Sequence, residues 1–131
     1  MKKFLVMSIL FLVFVGTVFA GVWTDEKKFK EYVTTKSIAA EADSAGNTIV
    51  SVIKYKEAAI LASTYATAEI EAWQLNNAAY SLIKVFKDTK EKSLLVEAMT
   101  LLTDAKALNV ESTLGKIQSN MDFCLVWLEV K

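Results

Sequence analysis

The reactive side chains of this 131-residue sequence are few in kind: one thiol, Cys124, fifteen carboxylates and fifteen ammonium groups, with no histidine. A thiolate nucleophile needs a nearby cation or a helix start to lower its pKa. Cys124 instead lies on an apolar helical stripe between Phe123 and Leu125, which points to a buried structural thiol. A single cysteine has no partner within its own chain, so an intermolecular disulfide is the alternative. Paired carboxylates do acid–base work in glycoside hydrolysis. Glu69 and Glu71 stand two apart and cannot share a helix face, and the other acids are spread opposite the apolar stripes as a solvated surface would be. Metal sites in helical bundles use Glu-x-x-His pairs, and haem attachment needs Cys-x-x-Cys-His; both require histidine. Met99 and Met121 sit on apolar stripes and read as core filling. Nucleotide loops, nucleophile elbows, calcium loops and N-glycosylation sequons are absent. No catalytic, cofactor-binding or metal residues are therefore expected, and the chain reads as non-enzymatic.

The aromatic residues remain. Trp23, Trp73 and Trp127, with Tyr32, Tyr55, Tyr65 and Tyr80, could line a pocket, although at helical spacing they suit a core or an interface. The segment from 123 to 130 is apolar nearly all round, and such an end is buried or bound to something. Phe123, Cys124, Val126 and Trp127, with Tyr65, Trp73 and Tyr80, form the candidate interface.

Helices must position these groups. The chain has no proline and four glycines, and it is rich in Ala, Leu, Lys and Glu. Helix one begins after Thr24, with Asp25 and Glu26 in its first turn, and ends near Ala45-Gly46-Asn47. Helix two runs from Asn47 or Thr48 to Phe86, some forty residues and about 60 Å. Its seam, Ala58, Leu61, Tyr65, Ala68, Ala72, Leu75, Ala79, Leu82 and Phe86, advances in steps of three and four. A second stripe of Ile70, Trp73, Tyr80 and Ile83 makes the apolar face broad enough for a bundle. Asn76-Asn77 is a potential break. Asp88 and Glu91 resemble a capping box for helix three, which ends at Asn109. Helix four carries Val110, Leu114, Ile117, Met121, Cys124 and Leu128. The expected fold is all-α: an up-and-down bundle of about four helices, or a long helical hairpin if helices merge, after an N-terminal signal helix.

Residues 1–20 have the layout of a secretory signal peptide: Lys2 and Lys3, an apolar run over residues 4–15, then Val18-Phe19-Ala20 before a cut. The alternative is a retained membrane anchor over residues 4–23, with Trp23 at the interface. Both readings export residues 21–131 as a single helical domain, periplasmic, in the cell envelope or secreted. All fifteen acids and thirteen of the fifteen lysines lie after residue 20, a net charge of −2. With no arginine, nothing marks the chain for nucleic acid. Membrane contact follows only if residues 4–23 are retained.

Leu75-Asn76-Asn77-Ala78-Ala79-Tyr80-Ser81-Leu82, then Glu97-Ala98 with Leu102, Ala105 and Leu108, resembles a tetratricopeptide helix pair. Leu-Asn recurs at Leu108-Asn109, an offset of 33 that is close to that family's period, and Leu114-Gly115 would continue a second repeat. The stretch departs in lacking the family's proline and in a loop about seven residues longer than the family uses. The resemblance implies a peptide-binding helical solenoid. The residues themselves point to an exported protein that works by contact with an unidentified protein partner or by self-association, with an anchored accessory subunit as the alternative. A small-ligand carrier would require a pocket with convergent polar groups.

Overall fold

In a computed structural model that describes residues 22–129, the chain forms five helices, α1 (Glu26–Ser44), α2 (Thr48–Tyr65), α3 (Ala68–Thr89), α4 (Lys92–Ala107) and α5 (Glu111–Glu129). Each packs against the next, and α5 also packs on α3. Neighbours run antiparallel, as the hydrogen bond from Thr24 N–H, just before α1, to the Tyr65 carbonyl at the end of α2 requires. Alternate helices run parallel: Tyr32 and Asp43 of α1 meet Gln74 and Ser81 of α3, and Asn120 and Trp127 of α5 meet Asn76 and Phe86 of α3.

Asp25 caps α1, its carboxylate accepting from Lys28 N–H at 3.0 Å. Gly46 turns the chain at φ +78°, a conformation that suits glycine, and Asn47 caps α2. The expected forty-residue helix is two helices, so neither four helices nor a long hairpin describes the fold. Ala66 leaves helical geometry and Thr67 turns extended, its hydroxyl accepting from Ile70 N–H at 3.3 Å. Glu69 then falls in the first turn of α3, where the helix dipole favours an acid. Asn76-Asn77 does not break α3; Asn76 is buried and bonded to Asn120. The Asp88 capping box does not form either. α3 continues to Thr89, and Glu91 is the N-cap of α4 without a side-chain bond of its own. The long loop expected in the tetratricopeptide-like stretch is thereby reduced to residues 90–91. Leu75-Asn76 lies inside a helix whereas Leu108-Asn109 lies in a turn, so the two pairs are not equivalent positions.

The larger core cluster joins Phe86, Ile83 and Leu82 of α3 to Leu95 and Leu102 of α4 and Ile117 and Cys124 of α5. A smaller one gathers Trp23, Phe29 and Tyr32 on Ala58 and Ala62 of α2. Trp23, a candidate interfacial anchor by sequence, is buried in this domain. The leader, residues 1–20, lies outside the described residues. No helix among the described residues is long and apolar enough to cross a membrane.

Polar groups cross the core in pairs. Ser51 and Ser81 Oγ stand 2.8 Å apart, and Ser81 Oγ donates to Asp43 Oδ1 at 2.8 Å. Lys84 bonds the other Asp43 oxygen. Thr67→Ala removes the α3 cap and should cost about 1 kcal/mol, lowering Tm by roughly 5 °C in a thermal melt. Ser81→Ala strands the fully buried Ser51 hydroxyl and should cost about 1–3 kcal/mol by urea titration. Adding Ser51→Ala should cost less than the sum of the single changes, because the two hydroxyls serve one another.

Candidate functional site: a groove between α1 and α3

α1 and α3 meet through long side chains rather than close backbone approach. Between residues 29–40 of α1 and the first half of α3 lies an open groove of about 600 Å³, within the size range of ligand pockets. Trp23, Phe29, Tyr32 and Trp73 form its aromatic lining. Trp23 sits 4.7 Å from the Tyr32 ring and 5.6 Å from Phe29, tilted against both. The segment before α1 brings in Trp23, and helical spacing on α1 presents Phe29, Tyr32, Val33 and Lys36 on one side. On α3, Ile70, Trp73 and Asn77 do the same.

The polar lining converges on Tyr32. Gln74 Nε2 donates to the Tyr32 hydroxyl oxygen at 3.0 Å, and Asn77 Nδ2 donates to Gln74 Oε1 at 3.3 Å. The Lys36 ammonium stands 6.0 Å from the centre of the Tyr32 ring, within cation–π reach. Burial pushes the Tyr32 phenol up to about 12, so it stays a neutral donor across physiological pH.

The candidate interface residues are not one surface. Trp73 lines the groove, and Tyr65 packs on the small cluster under Lys28. Tyr80 is exposed on α3 below Lys84, and Val126 is exposed on α5. Phe123 and Trp127 turn inward onto Phe86, edge to face at 6.2 and 5.5 Å. Lys90 lies 4.9 Å over the Trp127 ring. Cys124 is fully buried in the main core, and desolvation pushes its thiol up to about 11. Of the aromatic residues considered for a pocket, Trp23, Tyr32 and Trp73 line the groove. Tyr55 is core instead. Lys36, Gln74 and Asn77 carry no sequence motif. The spacing of Tyr32 and Lys36 one turn apart is their only signal, and nothing local pairs them with residues about forty positions away.

Other chemistry-bearing clusters are structural. Ser81 is buried and its O–H is committed to Asp43, which in turn holds Lys84. Among the described residues, no group of three or more His, Cys, Asp or Glu could hold a metal ion. A shallower depression of about 410 Å³ lies between Val96, Met99, Asp104 and Leu128. Comparison with protein-family models, with curated proteins and with solved structures finds no match to this chain.

Burial, and then the like charge of Asp104 on α4, raise the Glu71 carboxyl above its ordinary value. Its ionised form therefore works against folding at neutral pH, and that penalty vanishes once the carboxyl is protonated in both states. Glu71→Gln should raise Tm slightly at pH 7 and leave it unchanged at pH 3, read by parallel thermal melts.

Proposed function

We propose that this chain is an exported, non-enzymatic helical protein that acts by contact with a protein partner, in the periplasm or cell envelope or outside the cell. The observation that carries the contact reading is the α1/α3 groove, in which four aromatic rings stand beside the polar side chains of Lys36, Ser37, Gln74 and Asn77. Of these rings Trp73 is the half-buried one that can supply contact area at low entropic cost, whereas Trp23, Phe29 and Tyr32 are packed into the small core cluster. Export is supported by the leader alone, whose apolar run comes directly after Lys2 and Lys3. Retention of residues 4–23 would make the same module an anchored accessory subunit. A tetratricopeptide-like peptide-binding module is a further reading. It is supported by the succession of antiparallel helices in which alternate members run parallel and two of them flank the groove.

A photo-reactive p-benzoylphenylalanine in place of Trp73 should cross-link a protein partner in intact cells, and the same group at exposed Glu97 on α4 should not. Equal labelling from both positions, or none from position 73, would refute the groove as the contact surface. The mass of the native N-terminus decides the form: a chain starting at Gly21 is the free module, and one retaining residues 1–20 is the tethered one.

A further inference from the structure

We propose that the groove selects a polypeptide segment that presents a carboxylate beside a large apolar side chain. This inference rests on the groove being the contact surface, and it adds what that surface recognises.

The first observation is charge. Among the described residues no acidic side chain lines the groove, and Lys36 does. Lys28, Lys30, Lys54 and Lys84 each reach a carboxylate at the surface. Among the described residues Lys36 reaches no carboxylate and stands over the face of the Tyr32 ring. Its neighbours one turn away on α1 are Tyr32, Val33, Ala39 and Ala40, so no acid on its own helix neutralises it.

The second observation is an unused donor. Tyr32 is 8% exposed. Its oxygen accepts from Gln74, and among the described residues its own O–H has no acceptor. A ligand oxygen in the groove can accept from this O–H without displacing any bond the described residues make. Asn77 adds a second N–H beside the one it gives to Gln74. Ser37 and the Asn77 carbonyl can accept, but a cation drawn to them would stand beside the Lys36 ammonium. One ammonium with neutral donors around it suits a single negative charge. A phosphate's greater charge calls for arginine forks or several cations, and this chain has no arginine.

The third observation is shape. From Phe29 to Ala40 the α1 wall covers eleven steps, about 16 Å, which is roughly five extended residues. A small acid would occupy only part of that length. A chain segment lays an apolar side chain against the partly exposed Val33, Ile70 and Trp73 while its carboxylate reaches Lys36 and Tyr32.

Three N-acetylated pentapeptides test this on the full chain as isolated, with whatever N-terminus it retains. They are Ala-Phe-Glu-Leu-Ala amide, Ala-Phe-Gln-Leu-Ala amide and Ala-Phe-Gln-Leu-Ala with a free C-terminus. The readout is the indole N–H resonances of Trp23 and Trp73, with Trp127 as the internal control. At least one carboxylate-bearing peptide should shift Trp23 and Trp73, leave Trp127 in place and bind at least about tenfold more tightly than the uncharged one. The arm that does so tells a side-chain carboxylate from a chain end. Lys36 is exposed, so Lys36→Met should keep the thermal melt of the parent and lose the preference. Tyr32→Phe should weaken the preferred peptide several-fold. Equal binding of all three peptides at Trp23 and Trp73, or a preference that survives Lys36→Met, overturns the carboxylate assignment and leaves the groove standing. No shift at Trp23 and Trp73 with any peptide overturns the groove reading as well.

Discussion

The constraint on which this fold depends is the satisfaction of three polar side chains buried along α3. Gln74, Asn76 and Ser81 are each at most 4% exposed. Each finds its partner on another helix: Gln74 on Tyr32 of α1, Asn76 on Asn120 of α5, and Ser81 on Asp43 of α1 and Ser51 of α2. A buried polar group without a partner costs about 1–3 kcal/mol, so rotating or sliding α3 against its neighbours breaks several bonds together. Apolar packing is indifferent to small register shifts by comparison. Ala72, Ala78 and Ala79, with no exposed surface, give the neighbouring helices close approach, and the polar pairs specify where that approach occurs. A chain without an internal disulfide has this interlock and the apolar clusters to hold one arrangement.

The same interlock explains which parts of the fold are legible in the sequence. Helix content, the Asp25 start, the Gly46 turn and the inward stripes of α4 and α5 come from propensity and period, which are local. The division of residues 48–86 does not show, because the seam from Ala58 to Phe86 keeps its three–four rhythm across Ala66-Thr67. A two-residue reversal sends α3 back along α2 with Ala58, Ala72, Ala79, Leu82 and Phe86 of the seam facing inward, so the periodic signal continues through a real break. The local marks are polar. Ser63 and Thr64 bond back to the Ile60 carbonyl at 2.8 and 3.1 Å, and Thr67 caps the start of α3. Such bonds compete with helix continuation. Asn76-Asn77 misleads in the opposite sense, since its role as a buried link to α5 depends on a residue 44 positions away.

The candidate site shows the limit more sharply. Trp23, Tyr32 and Trp73 are visible as aromatic residues, and Phe123 and Trp127 are visible equally well. What separates them is which helix faces them. α5 lays Phe123 and Trp127 on Phe86 and closes that end of the bundle. α1 is held to α3 by long side chains at two points, Tyr32–Gln74 and Asp43–Ser81–Lys84. Seams lined by Ala58, Ala62 and Ala79 close tightly, whereas Tyr, Gln, Asp and Lys bridges hold their helices apart. The groove is therefore a consequence of the polar frame. The residues that keep α1 in register also keep it from collapsing onto α3.

That coupling links stability to binding. Gln74 supports the groove from beneath by holding the Tyr32 hydroxyl oxygen, and at 2% exposure it is itself out of reach of a ligand. Tyr32 faces both ways: its ring packs on Trp23 in the small core, and its free O–H belongs to the groove. Such a residue cannot be optimised for packing alone. A phenylalanine there would remove a donor that no other described residue uses and would leave Gln74 Nε2 short of its acceptor. The tyrosine carries a hydroxyl whose oxygen holds Gln74 and whose hydrogen no other described residue accepts.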